Sequence, residues 1–467
     1  MAESKRRIWG WMLYDWATQP YATLGLTFVF GPYFAAIATQ YFMEIGLPEA
    51  TADARAQSLW SLGQTLGGLA IALIGPVAGA YADLTGQRMR WISTFSVLYV
   101  VGATALWFAY PDGSTLYLSL IAFTLGYMAM EFTLIFTNAI LPSLGTDREV
   151  GRISGSGAAL GYWGGVLSLF LMLIFFAEGE TGRTLAGLEP IWGLDAETRE
   201  GTRFVGPFIA VWYVIFMIPF FLWVPDDKRD RRQSTWGAAV REVIATIKAI
   251  AKRRSLGAFL LGSMFYRDAL NALYGFGGVY ATLVLDWSIT MVGIFGIIAA
   301  IVAAIATWIG GLADQRFGPK PVIVACILAL MAVCTVIVGM TREELFGIAL
   351  RQDIPTPAGL GALIGEFLGT ADVIFYICGA VIGGAGGALY SASRSMMVRH
   401  TNPEKPTEAF GLFALSGKAT AFLAPALIGL VTYLTDSARI GVSPVIGLFL
   451  IGLVLLRWVN KTGDRAA

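Results

Sequence analysis

Charge is what this sequence of 467 residues has least of. Asp, Glu, Lys and Arg make up 14% of it, against about 25% in soluble domains. A soluble globule of this length needs far more polar surface than that. The signs are also nearly balanced, 33 Lys+Arg against 32 Asp+Glu, for a net charge of +1. That excludes a bulk electrostatic partner such as nucleic acid. Histidine occurs once, at His400, which removes histidine-clustered metal chemistry. The three cysteines, Cys326, Cys334 and Cys378, all lie in apolar runs. An odd, apolar set makes neither a disulfide framework nor a metal site, so they read as small buried hydrophobes. What is abundant is apolar: 56% of the residues are hydrophobic, with 29 Phe and 14 Trp, which excludes disorder. The composition points to a polytopic helical membrane protein.

About 20 apolar residues span a bilayer. Such runs recur near 11–40, 57–82, 91–110, 115–141, 152–176, 203–224, 256–285, 288–312, 321–341, 371–396, 408–432 and 442–459. No barrel-type alternation is seen, so twelve transmembrane helices are expected. Lys5, Arg6 and Arg7 before an apolar run, with Ala36-Ile37-Ala38 after it, imitate a secretory leader. Asp15 and the unusual length of the run argue instead that the span is retained. Lys and Arg are asymmetric about the spans. With the N-terminus in the cytoplasm, 24 of the 33 fall on the cytoplasmic side. The expected location is therefore a bacterial inner membrane, with both termini cytoplasmic.

Three regions follow: an N-terminal six-helix bundle over 1–224, a cytoplasmic linker over 225–255, and a C-terminal six-helix bundle over 256–467. In the linker, Ser234 could cap an amphipathic helix with Val240, Val243, Ile244, Ile247 and Ala251 on one face. Arg241, Lys248, Lys252, Arg253 and Arg254 decorate the rest. Two readings stand side by side, a helix lying on the anionic inner leaflet and a solvated connector.

The halves repeat each other. After span 2 the chain reads Gly79-Ala80-Tyr81-Ala82-Asp83-Leu84-Thr85-Gly86-Gln87-Arg88. After span 8 it reads Gly310-Gly311-Leu312-Ala313-Asp314-Gln315-Arg316-Phe317-Gly318-Pro319-Lys320. In each, Gly permits close helix approach, and Asp can bond backbone N–H groups at a neighbouring helix end. The basic residues face the cytoplasm. The second copy departs in spacing, because Gly318 follows Asp314 by four residues and Gly86 follows Asp83 by three. Span 5 (Ser156-Gly157-Ala158) echoes span 11 (Ser416-Gly417-Lys418), and Tyr14-Asp15 of span 1 echoes Tyr266-Arg267-Asp268 of span 7.

The paired loop motif resembles the signature of the major facilitator superfamily. Three stretches narrow the resemblance: Tyr14-Asp15-Trp16-Ala17 through Tyr21-Ala22, Arg152-Ile153-Ser154-Gly155 through Gly165, and Phe410-Gly411-Leu412-Phe413 through Ala419. Together with Gly386-Gly387-Ala388 and Ser393-Arg394-Ser395, they resemble the vacuole-effluxer-like family, whose fungal members export amino acids. The resemblance implies two pseudo-symmetric six-helix bundles with spans 1, 4, 7 and 10 lining a central cavity. Gln19-Pro20 and Arg267-Asp268-Ala269 depart from the family's usual residues, at places where substrate would be read.

Ionisable groups at membrane depth cost at least ~2.5–3.5 kcal/mol, so they should face a cavity or a partner. Glu131, Asp268 and Asp15 are the candidates for proton coupling or for a gate. For Glu131 the competing reading is a structural partner of Arg267 or Lys418. For Asp15 and Asp268 it is a salt bridge or a site for a substrate ammonium. Lys418, about ten residues and ~15 Å into its span, is a candidate ligand for a substrate carboxylate. Its repeat counterpart is the small Ala158, so packing alone does not demand a lysine. Arg267, Asn271, Gln19 and Tyr21 complete the substrate candidates, and Gln19-Pro20 is expected to kink span 1. The loop motif contributes Gly79, Asp83, Gly86, Arg88, Gly310, Asp314, Gly318 and Lys320.

There is no Gly-x-x-x-x-Gly-Lys-Ser/Thr loop for ATP. The expected function is therefore secondary active transport of a small polar, amino-acid-like solute by alternating access, with proton coupling as one option. A monomer without cofactor is expected, its partners being the solute, protons and the lipid bilayer. The alternatives are an intramembrane enzyme with His400 as base, or a non-transporting receptor on the same fold. Against the enzyme, His400 is expected in a solvated loop with no nucleophile nearby.

Overall fold

The computed structural model describes residues 2–179, 181–226, 234–250, 252–287, 289–356 and 367–464. Eleven helices among the described residues are long and apolar enough to cross a membrane. In order they are span 1 (Ser4–Glu44), span 2 (Glu49–Thr85), span 3 (Arg88–Phe108), span 4 (Leu116–Ser143), span 5 (Asp147–Phe175), span 6 (Glu200–Trp223), span 8 (Met291–Phe317), span 9 (Pro319–Gly339), span 10 (Thr370–His400), span 11 (Pro406–Thr435) and span 12 (Ala438–Trp458). Span 7 is the helix Arg254–Leu285, 32 residues and therefore about 48 Å long. It falls outside the apolar set because Arg267 and Asp268 sit in its middle. Span 2 shows how the apolar surplus is used. Leu62, Leu66, Leu69 and Leu73 recur at helical spacing and are each more than half exposed, as a lipid-facing stripe requires.

The chain packs into two compact units. One is Met1–Leu144, Leu160–Val243 and Glu404–Ala414; the other is Gly145–Ala159, Ile244–Pro403 and Leu415–Ala467. Most of each six-span half stays together, but the first turns of span 5 pack with the second unit and the first turns of span 11 with the first. Between spans 9 and 10, residues Glu344–Leu345 (β1) and Ile348–Ala349 (β2) form a small antiparallel hairpin, with Leu345 opposite Ile348. Both of its turn residues, Phe346 and Gly347, have positive φ, which matches the strand twist. A second pair, Ile354–Pro355 (β3) and Phe367–Leu368 (β4), is also antiparallel.

Two corresponding tyrosines tie each half together. Tyr14 in span 1 bonds Thr133 Oγ1 in span 4 at 3.0 Å, and Tyr266 in span 7 bonds Ser393 Oγ in span 10 at 2.8 Å. Both rings are buried, so each hydroxyl needs its partner. Replacing Tyr14 or Tyr266 with Phe should each cost about 1 kcal/mol, read as a small fall in melting temperature of the detergent-solubilised protein. No fall for either variant would mean that the bond carries nothing.

Span 1 is interrupted where the kink is expected. Pro20 ends the α-helix, Tyr21–Phe28 continues as a wider π-type turn, and Val29 (φ −122°, ψ −67°) breaks the axis before Phe30–Glu44. All three cysteines are free and buried, as expected.

The linker helix runs Trp236–Ile250. Its cap is Thr235, whose Oγ1 accepts the Ala238 N–H at 3.2 Å, one residue later than the Ser234 expected. Of its expected apolar face, Val243 is buried, Val240, Ile244 and Ile247 are exposed, and Ala251 lies outside the described residues. His400 differs from expectation altogether. The span-10 helix runs on to His400, whose ring is fully buried and stacked on Phe259. Its Nε2 lies 2.8 Å from Ser255 Oγ and its Nδ1 2.9 Å from Met396 O. Nδ1 faces a carbonyl and therefore donates to it, and Ser255 Oγ, which also accepts the Asn460 N–H, is the partner of Nε2. Helix packing, and not solvent, surrounds this residue.

Candidate functional site

In the first unit, Asp15 is buried in span 1, with its Cβ facing Gly161 of span 5. Gln19, one turn on, is half-buried and packs its Cγ against Gly165. Tyr21 is fully buried. Its hydroxyl donates to Phe123 O at 2.7 Å, and its ring stacks on Phe123 and leans on Tyr99. Glu131 of span 4 is half-buried, two residues before the Thr133 that receives Tyr14.

In the second unit the candidates gather around a break in span 11. Its helix stops at Ala419, turns, and restarts as Leu423–Thr435. Restarting a helix inside a membrane leaves backbone N–H groups without intrahelical partners. Asp268 of span 7 supplies one: its Oδ2 accepts the Ala424 N–H at 3.0 Å. The carboxyl is 1% exposed, and its other oxygen, Oδ1, is buried without a hydrogen bond. Thr420 in the turn donates to Met264 O at 3.2 Å. Arg267 lays its guanidinium on the backbone of Gly417; a Cβ there would come within 2.4 Å of Arg267 Cζ. The next residue is Lys418, half-buried in the last helical turn before the break. Asn271, one turn beyond Arg267, is exposed. Spans 7 and 11 thus bring together Arg267, Asp268 and the chain around Lys418, a mixed-charge set beside irregular backbone.

The two copies of the loop motif are built differently. Gly86 closes span 2 in the left-handed conformation (φ 64°, ψ 26°). Gly318 has φ 85° and ψ 164°, a region essentially reserved for glycine, and leads into Pro319 at the start of span 9. That extra residue is the reason for the spacing difference. Asp83 does what an aspartate at this place can do. Its Oδ2 accepts the N–H groups of Thr407 (2.8 Å) and Glu408 (2.9 Å) at the start of span 11, and its Oδ1 accepts from Thr407 Oγ1 (2.7 Å). Arg88 closes the ring, donating to Asp83 Oδ1 at 3.2 Å and to Thr407 Oγ1 at 2.9 Å. Gly79 lets the Thr407 carbonyl approach where a Cβ would be 2.5 Å away.

The Asp314 side chain is 1% exposed against 4% for Asp83, yet its oxygens are without a hydrogen-bond partner, and the Arg399 guanidinium comes only to 3.9 Å. It rests against Gly151 of span 5, and Gly310 rests against Ala388 of span 10. Lys320 does not reach this ring and donates to Val459 O at 2.7 Å.

Arg394 is the residue that sequence reasoning missed. It enters the sequence reading only within the Ser393-Arg394-Ser395 stretch, with no role, and it is fully buried in the span-10 helix. Its Nε donates to Ser154 Oγ at 2.9 Å and its Nη2 to Ser154 O at 2.6 Å. At the next residue, Gly155 meets Gly311 of span 8 with no room for a Cβ. A buried Arg between two serines in an apolar run was the available signal.

Similarity to known proteins agrees with this architecture. The family model described as "Vacuole effluxer Atg22 like" matches residues 3–466. The Bacillus subtilis protein described as an uncharacterized MFS-type transporter, YxiO, is 24% identical over 457 residues, covering 97% of this chain and 94% of its own. Autophagy-related protein 22 of Cryptococcus neoformans is 25% identical over 330 residues, covering 68% of this chain and 54% of the fungal one. Among solved structures, the E. coli transporter FucP of the major facilitator superfamily superposes with a TM-score of 0.64 at 14% identity, covering 98% of this chain and 99% of that one.

Proposed function

The chain belongs to the vacuole effluxer Atg22-like family of major facilitator transporters, and from that premise we propose that it moves a small zwitterionic solute of the amino-acid class by alternating access, coupled to protons. The observation that carries the reading is the broken span 11 with Arg267, Asp268 and Lys418 around it. Charges of both signs beside an interrupted helix suit a ligand that carries both an ammonium and a carboxylate. Lys418 and Arg267 would take the carboxylate. Asp268 would take up and release the proton, since one of its oxygens is buried with no donor facing it. Asp15, which corresponds to Asp268 in the repeat, and Glu131 are the acidic groups of the first unit and are assigned to proton coupling or to the gate. Both termini are assigned to the cytoplasm on the Lys/Arg asymmetry.

A thermal-shift screen of purified protein against amino acids, sugars and organic anions tests the substrate class, because a ligand of the folded state raises stability by mass action. Stabilisation by amino acids supports the reading, and stabilisation by sugars alone refutes it. The stabilising solute is then used in counterflow with proteoliposomes. Lys418→Ala should abolish counterflow while the protein still folds and inserts. Wild-type rates in that variant would remove Lys418 from the site.

A further inference from the structure

The linker helix presents an apolar face that stays about half exposed among the described residues. Trp236, Val240, Ile244 and Ile247 are each between 42% and 48% exposed. At 100° per residue they fall within an arc of about 80°. On one side the arc is bordered by Ala239 and Val243, which are buried against the protein. On the other it is bordered by Arg241 and Lys248, both exposed, with Lys252 and Arg254 just beyond the helix end. From 236 to 254 the chain carries five Lys/Arg and one acidic residue, Glu242. Glu242 lies away from the arc and pairs with Lys405.

The helix is pinned so that the arc faces outward. The Trp236 ring stacks on Tyr81 at 4.7 Å and meets Trp91 edge-on at 5.9 Å. Those contacts place it beside the end of span 2 and the start of span 3, where the membrane surface lies. An apolar stripe at that depth with a one-sided basic border matches a lipid leaflet in shape and in charge. A neutral protein groove would leave Arg241 and Lys248 without counter-charge.

We propose that the linker helix is a binding site for anionic phospholipid, with its apolar stripe inserted at the acyl boundary and Arg241 and Lys248 on headgroup phosphates. The same helix touches both sides of the Asp83 ring. Trp236 packs on Tyr81, two residues before Asp83, and Glu242 holds Lys405, two residues before Thr407. Lipid that fixes the helix therefore also steadies that ring.

The test uses full-length protein carrying Ile244→Cys, labelled with an environment-sensitive fluorophore. The native cysteines are buried, so labelling is confined to the new site. In vesicles of phosphatidylcholine with phosphatidylglycerol, the emission should shift to the blue and be quenched by lipids spin-labelled near the headgroup. Arg241→Gln with Lys248→Gln should lower the selectivity for phosphatidylglycerol over phosphatidylcholine by roughly fivefold for each charge removed. Glu242→Gln should keep the emission shift but lose the rise in melting temperature that phosphatidylglycerol brings. Water-like emission in these vesicles overturns the proposal, as does equal behaviour in neutral vesicles. A shift in detergent that grows with protein concentration assigns the face to a second copy and also overturns it. A Glu242→Gln protein stabilised like wild type overturns the link to Asp83.

Discussion

An Asp268→Asn protein should exchange solute across a vesicle membrane yet fail to concentrate it when a pH gradient is imposed. On the proposed function the carboxyl both caps a helix and carries a proton, and this substitution separates the two. Oδ2 caps the restarted half of span 11 through the Ala424 N–H, and an asparagine carbonyl keeps that bond. Oδ1 is buried with no donor facing it, so the charged form lacks the hydrogen bonds a buried carboxylate needs. Protonation relieves that cost, and the asparagine has no proton to give up. Exchange needs only that the two orientations of the loaded carrier interconvert, so it survives. Asp268→Ala should additionally lose the cap, about 1 kcal/mol, and lower the melting temperature. Accumulation driven by the pH gradient at the wild-type level in Asp268→Asn would take the proton away from this residue. Loss of both exchange and folding would show that its role is structural.

The second large effect belongs to Asp83. Its carboxylate receives two backbone N–H groups, the Thr407 hydroxyl and the Arg88 guanidinium. Removing it in Asp83→Ala leaves Arg88, itself only 6% exposed, without its counter-charge, and the start of span 11 without its cap. Breaking a buried ion pair on one side costs about 3–5 kcal/mol. A fall of roughly 3–5 °C in melting temperature is expected for a chain of this length. Thr407→Val in the Asp83→Ala background should then cost much less than in the wild type, because the two residues share one network. Asp314→Ala, at the corresponding place in the other half, removes only the long 3.9 Å contact with Arg399 and no helix cap, and should cost less than half as much. Equal losses from the two aspartates would contradict the asymmetry of the structure.

That asymmetry marks the boundary of what could be read in advance. The twelve spans and the paired loop motif were legible, because a bilayer demands long apolar helices and repeats of this length leave matching residues. The capability of Asp83 was legible too, since an aspartate near a helix end has few other uses. Which helix end it would cap was not. Thr407 lies 324 residues away, and no local pattern names it. The buried state of His400 was misread for the same reason. Its helix continues past the last apolar residue, and its shield is made of Phe259, Ser255 and the chain near Asn460.

The sequence by itself determined that this is an integral membrane protein of twelve helices in two related halves, with a few charges left in the apolar spans. Those statements depend on composition and period, which the solvent enforces residue by residue. Tertiary structure alone decided that span 11 breaks beside Lys418, that Asp268 caps the break, and that Arg394 is buried on Ser154. Each depends on which distant backbone groups lack a partner, and a buried polar group is satisfied by whatever the fold brings within about 3 Å.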